Sequence, residues 1–127
     1  MRKIAVVVMA TALSFAAFGT GVAGAGQNDV IERGPCSDSS DWKLKVSPDN
    51  GRLQVEFEVD QNVSGDRWRV RIRHGDSVAF RGIKRTVGAS GSFTVEIREG
   101  DGSGTDVFRA KARNLSTDEL CVGSASF

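Results

Sequence analysis

From Trp42 to the C-terminus the sequence alternates apolar and polar residues with period two, and no other feature constrains the fold as much. Only an extended strand puts every second side chain on one face, so each alternating run predicts a strand with one side on a core and one in water. Trp42, Leu44 and Val46 alternate with Lys43 and Lys45. Leu53, Val55, Phe57 and Val59 alternate with Gln54, Glu56, Glu58 and Asp60, and Trp68, Val70 and Ile72 with Arg67, Arg69, Arg71 and Arg73. Further along, Phe93, Val95 and Ile97 alternate with Thr94, Glu96 and Arg98, and Phe108, Ala110 and Ala112 with Arg109, Lys111 and Arg113. The last run sets Cys121, Gly123, Ala125 and Phe127 on one face. Residues 78–84 form a weaker strand, because Phe80 and Ile83 are an odd number apart; a bulge at Gly82 is expected to change which face points inward.

Turn residues separate these runs. Pro48-Asp49-Asn50-Gly51 combines a proline that presets one dihedral with an Asn-Gly that tolerates positive φ, and His74-Gly75-Asp76 reverses the chain again. Helical spacing is nowhere sustained. About seven strands in roughly a hundred positions predict an all-β fold, an antiparallel two-sheet sandwich, with a small β-barrel as the alternative.

The N-terminal segment follows different rules. Met1-Arg2-Lys3 is a positive start, residues 4–18 are apolar except for Thr11 and Ser14, and Ala23-Gly24-Ala25 supplies the small residues a signal peptidase reads. The run is shorter than the roughly 20 apolar residues a membrane-spanning helix needs, so residues 1–25 are read as a cleaved signal peptide and not as an anchor. Residues 26–35 are then a flexible leader and 36–127 the domain, secreted or wall-associated. Cys36 and Cys121 are the only cysteines, and an even count in an exported chain predicts one intramolecular disulfide. By chain-entropy reasoning such a long loop closure is worth roughly 4 to 5 kcal/mol.

Charge placement is the most informative functional feature. Without Arg2 and Lys3 the 17 basic residues fall to 15 against 16 acidic ones, a net charge of −1 that excludes a protein basic overall. The signs are nevertheless sorted by segment. The Leu53 run carries Glu56, Glu58 and Asp60, whereas the Trp68 run carries Arg67, Arg69, Arg71 and Arg73 and the Phe108 run Arg109, Lys111 and Arg113. If the Trp68 and Phe108 strands are neighbours, these seven cations share one face suited to a polyanion: teichoic or teichuronic acid, acidic polysaccharide or extracellular nucleic acid. If instead the Leu53 and Trp68 strands lie side by side, Glu56 and Glu58 pair with Arg69 and Arg71 and the patch disappears. Trp42 and Trp68 fall at core-facing positions, so no exposed aromatic row is evident for stacking.

In strand count, size and turn spacing, Trp42 to Phe127 resembles the immunoglobulin and fibronectin type III superfold. The cysteine positions depart from that pattern, because one precedes the first strand. The export signal with the segments Trp42 to Val46 and Arg67 to Val70 is also similar to small exported proteins of actinobacteria, a resemblance that assigns no activity.

Catalytic and metal-binding patterns are weak. His74 is the only histidine and lies in a turn, which reads as a turn residue rather than a general base, so no enzyme is expected. Asp38 and Asp41 among serines, and Glu99, Asp101, Thr105 and Asp106 in a glycine-rich loop, do not match a calcium-loop pattern, so neither metal nor cofactor is expected. Asn62-Val63-Ser64 and Asn114-Leu115-Ser116 fit the short glycosylation triplet, which often arises by chance. The leading expectation is a non-enzymatic secreted interaction domain with the seven cations as an anion-binding face. The alternatives are a small-ligand carrier with an apolar pocket between the sheets, and a secreted protease inhibitor presenting the loop at 100–105.

Overall fold

A computed structural model describes residues 28–127; the signal reading at 1–25 and the start of the leader lie outside the described residues. Eight strands form: β1 (Val30–Pro35), β2 (Asp41–Asp49), β3 (Arg52–Asp60), β4 (Arg67–His74), β5 (Ser77–Arg85), β6 (Ser92–Gly100), β7 (Val107–Asn114) and β8 (Leu120–Ser126). They build two four-stranded antiparallel sheets, ordered β1-β2-β3-β6 and β5-β4-β7-β8. The expected two-sheet sandwich is therefore the fold, and the barrel is not. No helix among the described residues is long and apolar enough to cross a membrane.

The period-two reading holds strand by strand. Leu44, Val46, Leu53, Val55, Phe57 and Val59 from one sheet meet Trp68, Val70, Ile72, Phe108, Ala110 and Ala112 from the other, all buried. These side chains fill the space between the sheets. Trp68 leans on Phe93 of the facing sheet with ring centroids 6.1 Å apart.

Two expectations need correction. Val30–Pro35, read as leader, is strand β1, paired with β2 from Val30 opposite Val46 to Pro35 opposite Asp41. The bulge lies at Ala79, which the register skips between Phe80 opposite Ile72 and Val78 opposite Arg73. Gly82 stays in register opposite Val70, and its missing side chain makes room for Phe80: a Cβ there would come within 2.9 Å of the ring. Phe80 and Ile83 are an odd number apart simply because they point to opposite faces.

The edge where β1 and β2 approach β8 is closed by Trp42, whose ring is wedged between two glycines. A Cβ at Gly34 would sit 2.8 Å from the indole and one at Gly123 2.6 Å from it. Beside it Cys36 and Cys121 form the disulfide, which ties the end of β1 to β8. The turn after Cys36 is organised around the buried carboxylate of Glu119. The amides of Asp38 and Ser40 donate to Oε2 at 3.0 and 2.9 Å, and the Ser40 hydroxyl donates to Oε1 at 2.6 Å. The Asp38 and Asp41 segment is thus a clasp on β8.

Because the Trp42 ring cannot bend away as a flexible chain would, Gly123→Ala is expected to lower unfolding stability by about 1–3 kcal/mol, the usual cost of overpacking. Urea unfolding of the oxidised protein measures it; an unchanged midpoint would mean the wedge is loose.

Candidate anion-binding face

Strands β4 and β7 are hydrogen-bonded neighbours, and β3 and β4 lie in different sheets. The side-by-side arrangement that would have paired Glu56 and Glu58 with Arg69 and Arg71 therefore does not occur. Instead the antiparallel register sets Arg69 opposite Arg113, Arg71 opposite Lys111 and Arg73 opposite Arg109. The same register buries Val70 against Ala112 and Ile72 against Ala110, so packing the core drives these cations outward.

On the other side of β4, Arg67 faces Arg85 and Arg71 faces Arg81. Arg81 and Arg85 join the seven cations read from the sequence; the bulge expected at Gly82 left the facing of this strand open, whereas the register runs unbroken from Arg85 to Phe80. A period-two count backwards from Arg85 to Arg81 would have found them. None of the four strands of this sheet contains Asp or Glu. Arg69, Arg71, Arg81, Lys111 and Arg113 surround an open groove of about 530 Å³ floored by Val70 and Gly82.

The opposite sheet mixes the two signs: like charges also meet there, Arg33 opposite Lys43 and Glu56 opposite Glu96, but partners of opposite sign meet as well. There Lys43 faces Glu58 and Lys45 faces Glu56, Lys45 also reaches Asp29 at 3.4 Å, and Arg98 reaches Asp49 at 2.6 Å. On the basic face the one ion pair among the described residues is at its margin, where Arg113 donates through Nε and Nη2 to Asp118 Oδ1 at 3.1 and 2.9 Å.

Both ends of the β4–β7 seam are held by carboxylates. At the start of β4, Asp66 Oδ2 accepts from Gln61 Nε2 at 2.6 Å and Asn114 Nδ2 at 3.0 Å. These bonds, Asn114 first, hold its carboxyl below the usual range despite partial burial. Trp68 Nε1 donates to Gln61 Oε1 at 3.1 Å, linking this cluster to the core. Asn114 is fully buried, so its glycosylation triplet is closed to modification in the folded protein, whereas Asn62 is exposed.

At the other end His74 closes β4, its Nε2 2.7 Å from Asp106 Oδ1 and its ring stacked on Phe108 at 4.4 Å. The bond to His74 lowers the Asp106 pKa, burial opposes it, and the Gly102 amide adds to the lowering. Glu99 Oε1 is 4.0 Å from Nδ1. The histidine is thus a link between strand ends, and the glycine-rich loop is tied down through Asp106. No protein-family model, curated protein or solved structure matches the chain significantly.

Because the folded pKa of both Asp66 and Asp106 lies below the unfolded value, their contribution to stability is complete above the unfolded pKa and disappears as pH falls through the folded one. Acid unfolding is therefore expected to begin below about pH 4. Asp66→Asn and Asp106→Asn should each flatten that dependence in denaturant midpoints taken from pH 6 down to pH 2; a slope like that of the parent would refute the assignment.

Proposed function

We propose that this protein is a non-enzymatic exported interaction domain that binds a repeating polyanion, such as an anionic cell-wall polymer, through the outer face of β5-β4-β7-β8. The observation that carries the reading is the set of like-charge cross-strand pairs. Like charges directly opposite each other destabilise a sheet, and opposite charges stabilise it. Arg69 with Arg113, Arg71 with Lys111 and Arg71 with Arg81 are all unfavourable in the free protein. An anion placed among them converts each repulsion into two attractions, and guanidinium groups offer paired donors to phosphate or carboxylate.

The export reading rests on the signal-like N-terminus, and the Cys36–Cys121 disulfide fits an oxidising compartment. An immunoglobulin-like assignment is supported by the order β2-β3-β6 facing β5-β4-β7-β8, in which β5 occupies the place of the strand added to the three-stranded sheet of that superfold. β1 and the position of the disulfide are departures from it. An actinobacterial origin fits the same features of the sequence. His74 is engaged by Asp106 and Phe108, which fits a structural role better than a catalytic one.

Arg71→Glu separates function from stability. It places a carboxylate between Arg81 and Lys111, so the folded state should gain a few tenths to about 1 kcal/mol. Retention on heparin or purified wall polymer should fall sharply, as should that of the Arg69→Glu, Arg71→Glu double variant. Unchanged retention in the double variant would end the proposal, and a steep fall of retention with salt is expected of the parent.

A further inference from the structure

Seven large apolar residues are exposed among the described residues, and four of them lie on the same outer face as the cations. Val78 and Ile83 belong to β5, Leu120 and Val122 to β8. The register fixes their direction: Val78 opposes Arg73, Ile83 opposes Arg69, Leu120 opposes Arg113 and Val122 opposes Lys111. Ile83 is 51% and Val122 61% exposed. With strands about 4.8 Å apart, the two aliphatic margins stand about 14 Å apart, with β4 and β7 between them.

We propose that this face lies on an anionic phospholipid bilayer, with the cations of β4 and β7 among the headgroup phosphates and the aliphatic margins at the headgroup–acyl boundary. The proposal rests on the reading of the basic face as an anion-binding surface and puts a lipid surface in the place of a free polymer as its ligand. A hydrophilic polyanion would use the cations and gain nothing from the valine and isoleucine margins. A lipid surface uses both, because its anionic layer attracts Lys and Arg while the layer beneath accepts apolar side chains. The groove ringed by Arg69, Arg71, Arg81, Lys111 and Arg113 offers a single phosphate headgroup several donors at once.

The test is sedimentation of the purified protein with vesicles of phosphatidylcholine alone and with added phosphatidylglycerol, alongside heparin retention. The parent should sediment with the anionic vesicles and not with the neutral ones. Combining Val78→Gln with Val122→Gln, both at exposed positions that do not line the groove, should weaken vesicle binding about fivefold or more while heparin retention changes less than about twofold. A matching thermal midpoint shows that the variant is folded. Vesicle binding unaffected by the double variant would overturn the bilayer proposal, since attraction would then be purely ionic. Heparin retention without vesicle binding would also overturn it, leaving a free polymer as the ligand of the basic face. Failure to bind either would remove both this proposal and the reading beneath it.

Discussion

The antiparallel seam between β4 and β7 is the constraint on which the rest of the molecule depends. Side chains on paired strands alternate with period two, so one register decides both faces at once. The pairing that places Ile72 against Ala110 and Val70 against Ala112 inside the sandwich also places Arg71 against Lys111 and Arg69 against Arg113 outside. A slip of one residue would bury guanidinium groups, whose desolvation costs far more than the packing could return. The cationic face is therefore locked to the core.

That locking explains where the stabilising devices lie. Asp66 with Asn114 at one end of the seam and Asp106 with His74 at the other join the two strands through charge-assisted bonds. Their position offsets repulsion along the strands between them. Farther from the seam, the disulfide, the Glu119 clasp and the Trp42 wedge hold β1 and β2 against β8. These interactions keep the sandwich shut at an edge where few large side chains reach across.

Much of this was legible in the residues because alternation and turn chemistry are local. Both the inward set and the seven cations of β4 and β7 follow from period two, but whether the Trp68 strand neighbours the Phe108 or the Leu53 strand was open in the sequence and is decided by the sheet order. What escaped was whatever depends on a partner distant in sequence. β1 carries adjacent Val30 and Ile31 and a Gly-Pro end, with no alternation to mark it, and it is a strand because β2 offers an edge. Glu119 looks like any turn glutamate until the turn after Cys36 closes over it, and the Ala79 bulge that turns Val78 outward has no glycine to announce it.

The contrast between the sheets bears on how binding would work. Cross-strand pairs stand about 4.5–5.5 Å apart, inside the roughly 8 Å screening length of physiological salt, so mobile ions do not erase the repulsion among the arginines. A fixed array of anions at comparable spacing does. The backbone array is already ordered by the sheet, and binding restricts mainly the outer reaches of long side chains, so the entropy lost per contact is less than for a flexible basic tail. A rigid sheet also sets which cations act together: along β4 they recur about every 6.7 Å and across to β7 about every 5 Å. Such a two-dimensional lattice favours a ligand whose charges are themselves spread over a surface, because a single linear chain can follow only one of its axes.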